Sequence, residues 1–289
     1  MTANQRVSTD QRQISARELE RRSYRRRRSL QRGGIAAAST VIVFTVIGIV
    51  LTNSPGWPRV QATFFDWHYA KQALPDIANA FLINIALFLI AEVVILVLSL
   101  LVAIIRVAPV PALMPIKIIA VVYTDVLRGT PTILVIFLIG FGLPALQLRG
   151  IPSSLFVLGL IALTLSYTAY VSEVLRAGIV SVHPSQWASG RSLGLSYVQT
   201  LRAVILPQAF RRVTPPLIND FVSLQKDTAL VSVIGLTEAL RQAQIYSSRN
   251  FNFTPYVVAA LFFIVVTIPF ARLTDALSLR AARRQAGAL

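Results

Sequence analysis

Glu92, Asp220, Lys226 and Asp227 sit inside long apolar runs, and they are the side chains of this sequence best placed to do chemistry. A charge at the centre of a bilayer costs about 2.5–3.5 kcal/mol on insertion scales, so each needs a partner or a polar path. On a helix, Asn84, Glu92 and Ser99 fall within about 80° of one another. Asn219, Asp220, Ser223, Lys226 and Asp227 fall within about 120°, with Phe221, Leu224 and Val231 outside that arc or on its edge. Two readings stand side by side. The polar faces line a pathway for a polar solute, or they form a closed network in which Lys226 pairs with Asp220 or Asp227 of a neighbouring helix. In the first reading Glu92 meets a cationic side chain or an ammonium, while Arg128 or Lys226 meets a carboxylate. Glu173 and Arg176 have i, i+3 spacing and read as a local ion pair.

Elements that position these residues follow from hydropathy. Of the 289 residues 55% are hydrophobic and 14% charged, against about 25% charged in soluble domains. The mean hydropathy is +0.64. The expectation is an all-α membrane protein with about six transmembrane helices, near Ile35–Leu51, Ile77–Ile105, Ile118–Leu146, Ser153–Leu175, Val213–Leu236 and Thr254–Ala271. Residues 1–34 form an Arg-rich tail, 35–52 an anchor, 53–76 an outer loop, and 277–289 a C-terminal tail. Arg and Lys placement puts both termini and the insert between the fourth and fifth spans on the cytoplasmic side of a multi-pass plasma-membrane protein.

The third span is about 44 Å long as continuous helix, too long for about 30 Å of hydrocarbon. Arg128-Gly129-Thr130-Pro131 interrupts it. Pro131 removes a backbone donor and pushes Thr130 out of helical geometry, so a broken helix is expected there. Broken helices at membrane depth are favoured solute sites, and Thr130 and Pro131 join the pathway candidates.

The insert after Glu173 is polar, basic and patterned. Pro184 suits a first helical turn, and the helix runs through Gln186, Trp187 and Arg191 to Leu193. Gly194 suits a left-handed stop. Ser196-x-x-Gln199 has capping-box spacing and opens a second helix, with Pro207 expected to close it. Two short helices around a glycine corner, with Trp187 and Leu193 as apolar anchors, look like a handle for a soluble partner.

Several classes are excluded or disfavoured. Without Cys there is no disulfide, thiol catalysis or thiolate metal site. His68 and His183 lie far apart in sequence, so no metal site is expected. The net charge of +16 owes much to ten Arg before Gly33. Arg packed beside a first apolar span reads as a topology anchor touching anionic lipid, not as a nucleic-acid arm. The tail is too long and charged for a signal peptide, so the first span is expected in the mature protein.

From Glu173 to Leu206-Pro207-Gln208 the chain resembles the signature loop of ABC-importer permease subunits, within them the polar amino acid permeases. That loop reads EAA, three residues, G, nine residues, a branched apolar residue, one residue, LP. Gly194, Val204, Leu206 and Pro207 fall in place, and Arg128-Gly-Thr-Pro131, Pro215-Pro216, Asn219 and the run from Lys226 to Gly235 match as flanks. The likeness covers roughly Ile77–Ala276, about two thirds of the chain.

The resemblance implies a five-helix permease core at 77–276, an extra N-terminal span, and short cytoplasmic coupling helices. It implies ATPase coupling through Gln186, Trp187, Ala188, Ser189, Gly190, Gly194, Leu206 and Pro207. It also implies separate ATPase subunits that bind ATP and Mg, a second permease subunit, an extracytoplasmic solute-binding protein and an amino acid as cargo. One departure is that Ala188-Ser189-Gly190 replaces Glu-Ala-Ala, removing a charge and adding a glycine that weakens a helix by about 1 kcal/mol. No phosphate loop is present, so this chain is expected to hold no cofactor and to be a transporter subunit, not an enzyme. A gradient-driven carrier or channel working through Glu92 and Asp227 is the alternative, though no inverted repeat is evident. An intramembrane aspartyl protease is disfavoured because Asp125, Asp220 and Asp227 lack the glycine context of such sites.

Overall fold

The computed structural model describes residues 16–286; Arg6, Asp10 and Arg12 of the basic tail and the last three residues lie outside the described residues. The chain divides into two compact units, residues 1–61 and 62–289. In the first unit a single helix, α1 (Ala16–Thr52), runs unbroken from the basic segment into the apolar one, 37 residues in all. A short helix α2 (Trp57–Phe64) follows a turn.

The second unit is a helical assembly. Helix α3 (Trp67–Val107) begins ten residues before the expected span, because Asp66 caps it by accepting from the His68 N–H at 2.8 Å. This polar lead-in, with Pro75 inside the helix, carries no apolar signal of its own. A 3-10 turn at Pro111–Leu113 leads into α4 (Met114–Gly129). After the break come α5 (Thr132–Phe137), a π-turn at Leu138–Gly142 and α6 (Leu143–Ala145). Helix α7 (Leu155–Val180) precedes the insert, which holds α8 (Pro184–Ser192) and α9 (Tyr197–Thr200). A π-turn at Leu201–Ile205 joins α9 to α10 (Leu206–Asp227), and a 3-10 helix at Thr228–Ile234 follows. Helices α11 (Ala239–Asn250) and α12 (Thr254–Ala286) complete the fold.

Among the described residues, four helical stretches are long and apolar enough to cross a membrane. There are up to five if the pair Pro111–Gly129 and Thr132–Ala145, bent by 107°, makes one span. The break falls at Thr130-Pro131, as Pro131 requires. The fifth expected span takes another form. Its α-helix starts already at Leu206 and gives way at Asp227 to the 3-10 helix, which Gly235 ends at φ 97°. With Arg211, Arg212, Pro215, Pro216 and the Asn219–Asp227 polar face, α10 is not apolar enough to count by composition.

Helix α7 is the centre, with 61% of its apolar window buried against 28% for the stretch containing α3 and 11% for α12. Leu158, Leu163, Leu87, Ile95, Ile205 and Leu224 from α7 and its neighbours are fully buried in one cluster. Small residues set the approach distances. A Cβ on Gly159 would overlap Val231, one on Gly178 would overlap Val213, and one on Gly140 would overlap Ile234. A second cluster, Ala73, Ile77 and Phe81 with Ala239, Ala243, Val258 and Ala259, joins α3, α11 and α12.

Candidate functional site

The insert folds as a capped knuckle. His183 Nδ1 accepts from the Ser185 N–H at 3.2 Å and starts α8, with Pro184 in its first turn. Gly194 closes it at φ 74°, where an L-residue with a side chain is strained. The capping box is complete: Ser196 Oγ accepts from Gln199 N–H at 3.3 Å, and Gln199 Oε1 accepts from Ser196 N–H at 2.8 Å. The expected stop at Pro207 is corrected. The chain continues from α9 through the π-turn into α10, and Pro207 occupies the first turn of α10. Leu206 N–H bonds to Leu201 O, and the wide turn accommodates the missing donor and the ring.

Trp187 is half-buried and stacks on Tyr197, with ring centroids 5.0 Å apart at 13°, so it braces the knuckle internally. Burial pushes the Tyr197 phenol above its ordinary value. Leu193 remains outside, 79% exposed. Gln186 ties the knuckle to the next helix, accepting from Gln208 Nε2 at 3.2 Å. Arg212 donates to Ser181 O and, at 3.1 Å, to Ser181 Oγ, clamping α10 to the end of α7. Gly190 is buried against Thr200, where a Cβ would meet Thr200 Cγ2 at 2.5 Å and Oγ1 at 2.7 Å. Its absence of a side chain is a packing requirement. Ala188 and Ser189 are exposed.

The polar residues of the apolar helices gather in part. Tyr167 donates to Asp227 Oδ2 at 2.8 Å, and its charge environment includes Asp220. Glu92 lies within electrostatic reach of Asp220, whose Oδ2 is buried without a hydrogen-bond partner. Tyr170 donates to Arg128 O at 3.0 Å, with the Arg128 guanidinium 6.0 Å from its ring. Thr130 donates to Val126 O at 2.8 Å and closes the last turn before Pro131. Thus α3, α4, α7 and α10 bring three carboxylates, two phenols and one guanidinium towards one region. Ser223 is half-buried, whereas Asn219 and Lys226 are exposed. Among the described residues of this chain Lys226 makes no ion pair within 4.0 Å.

Other expected partners separate. Asn84 leaves the Glu92 strip for a structural node. Its Nδ2 donates to Glu238 Oε2 at 2.8 Å and Thr228 Oγ1 at 3.1 Å, while its Oδ1 accepts from Ala239 N–H at 3.1 Å. Ser99 donates to Thr168 O at 3.2 Å. Glu173 does pair with Arg176 at 2.5 Å, and it also meets Arg106 at 2.6 Å, so the pair bridges α7 to α3. Sequence reading missed Tyr167 and Tyr170, whose i, i+3 spacing on an apolar helix was the available signal, and missed Glu238.

Three comparisons bear on this arrangement. The arginine transport system permease protein ArtQ of Bacillus subtilis is 32% identical over 196 residues, covering 68% of this chain and 87% of that one. The L-cystine transport system permease protein TcyB of Bacillus subtilis is 34% identical over 219 residues, covering 75% and 90%. The crystal structure of an amino acid ABC transporter with histidines superposes with a TM-score of 0.66 at 33% identity, covering 75% of this chain and 98% of that one. Residues 112–283 match the family of binding-protein-dependent transport system inner membrane components. With the broken helix, the glycine-cornered knuckle and a polar region between the helices, this multi-pass membrane chain belongs to that family of transporter permeases.

Proposed function

We propose that this chain is the permease subunit of an ATP-driven amino-acid importer in the plasma membrane. Its relatives carry names of arginine and cystine transport, and the region around Tyr167 offers groups of both signs, as a zwitterion requires. Glu92, Asp220 and Asp227 take the ammonium or a cationic side chain; Arg128, beside Thr130 and Pro131, takes the carboxylate. Asn219, Ser223 and Lys226 line the approach. The family relationship favours this reading over a gradient-driven carrier.

In the same proposal the chain crosses the membrane six times with both termini inside. Residues 35–52 anchor it, 53–76 lie outside and 77–276 form the permease domain. A second permease subunit completes the pathway, an extracytoplasmic binding protein delivers the cargo, and two ATPase chains bind ATP and Mg and dock at the knuckle. Their closure moves the knuckle as a rigid body and switches access.

The observation that carries this reading is the knuckle itself, with α8 and α9 each capped at its start and α8 bonded to α10 through Gln186–Gln208, while Arg212–Ser181 clamps α10 to the end of α7 beside it. Gly194→Pro tests it, since proline cannot adopt φ 74°. In proteoliposomes containing the ATPase, the variant is expected to fold and bind substrate while ATP hydrolysis no longer drives uptake. Normal ATP-driven uptake by that variant sinks the reading.

A further inference from the structure

The outer face of the knuckle carries one sign of charge and two uncovered aliphatic tips. No Asp or Glu occurs between Glu173 and Asp220, whereas Arg176, Arg191, Arg202, Arg211 and Arg212 all lie there. Glu173 neutralises Arg176, and Arg212 is engaged with Ser181. Arg191 and Arg202 are exposed, and among the described residues neither has an ion-pair partner. On α8 the exposed arc is Ser185, Ala188, Ser189 and Ser192, all neutral, with Arg191 exposed at its edge, next to Trp187. Leu193 and Val198 stand on either side of Gly194, 79% and 68% exposed. The inward face is spent on internal packing of Trp187, Gly190, Tyr197 and Thr200. A rigid patch with apolar tips and a cationic rim has the anatomy of a protein docking site.

From this charge pattern we propose that the ATPase slot receiving α8 is an apolar pocket rimmed by carboxylates, one of them facing Arg191. The inference rests on the importer reading and specifies the chemistry of its partner. Leu193 and Val198 seat in the pocket; Arg191 and Arg202 pair with the acidic rim; Ala188 and Ser189 pass a wall that presents no free cation. A membrane surface is the lesser fit, since the tips sit on a capped corner and do not run as an apolar stripe along a helix.

The test uses the full chain with an amino-acid importer ATPase from the same organism, both purified in detergent, and reads the bound fraction over a salt series. Arg191→Glu is expected to weaken binding at least tenfold at low salt, and reversing the facing ATPase carboxylate to Lys should restore it. Ala188→Glu should weaken binding by several-fold, because it brings a carboxylate to an acidic rim. Wild-type binding should fall as salt rises. Unchanged unfolding temperature in each variant separates lost docking from lost folding. Tighter binding by Ala188→Glu, or wild-type binding by Arg191→Glu at every salt, overturns the proposal. So does a loss of Arg191→Glu binding to phosphatidylglycerol vesicles with ATPase binding intact, which assigns the patch to lipid. If the wild-type chain binds no ATPase at any salt, the importer reading fails along with it; if it binds and only the charge variants are silent, the importer reading survives.

Discussion

Gly190→Ala is expected to destabilise this protein even though alanine is the better helix former. In a free helix the change gains about 1 kcal/mol. Here the added Cβ would lie 2.5 Å from Thr200 Cγ2, 2.7 Å from its Oγ1 and 3.1 Å from its Cβ. Thr200 is fully buried and β-branched, and its neighbours leave it little freedom to withdraw. Forcing a methyl into such a contact costs about 1–3 kcal/mol. The net loss centres near 1 kcal/mol, a fall of about 2–4 °C in unfolding temperature for a domain of this size. Thr200→Ala removes the two closest atoms, and its Oγ1 is a buried hydroxyl without a partner, so little is lost with it. The double variant is therefore expected to unfold at or above the wild-type temperature, with a coupling of about 0.5–3 kcal/mol between the sites. Thermal unfolding of all four proteins in detergent measures the cycle. A Gly190→Ala protein that melts above wild type while Thr200 is intact, or a cycle with no coupling, refutes the packing argument and leaves the glycine as a mere helix weakener.

Replacing Glu173 with Gln is expected to cost about 2 kcal/mol, because it removes charge-assisted bonds to Arg106 and Arg176 and loosens α3 from α7; melting in detergent checks it. Asn84→Leu strips Glu238 of a donor and Ala239 N–H of its acceptor, with an expected loss of about 1–3 kcal/mol read the same way. Asp227→Asn should leave the unfolding temperature nearly unchanged and weaken ATP-driven uptake of a cationic amino acid through KM; equal loss for every amino acid at unchanged KM counts against a binding role. Tyr246 donates to Asp76 Oδ2 at 2.6 Å, which favours the neutral phenol and lifts its titration above the ordinary value. That contact stabilises the fold below the phenol's unfolded value and is lost as pH rises through the raised one. Ultraviolet titration of wild type against Asp76→Asn should show one phenol moving to lower pH.

What was legible in the sequence was local chemistry. Pro131 forbids a helix, Gly194 permits a left-handed turn, and Ser196-x-x-Gln199 closes its own ring of bonds, so break, corner and cap all appeared where expected. Pro207 misled because its effect depends on the turn before it: just after a π-turn a proline sits in the first turn of the next helix, where it would otherwise end one. The early start of α3 was hidden because a helix held by tertiary packing needs no apolar run. Direction was the other loss. Spacing placed Trp187 on a helix and Lys226 on a polar face, but which way each side chain turned depended on Tyr197 and on neighbours far away in sequence. Asn84 shows the same limit, since its partner Glu238 lies 154 residues on.

The π-turn at Leu201–Ile205 has a consequence beyond its local geometry. Such a turn holds one residue more than an α-helical turn. That surplus sets the azimuth of everything after it, as one tooth sets a gear. Remove one residue there and a smooth helix results, but α10 rotates by about 100° about its axis. Asp220 and Asp227 then swing away from Tyr167, with every residue of the helix itself unchanged. The alignment of acids with phenol is thus held in a count of residues just after the knuckle, where a single-residue length change re-aims the whole of α10.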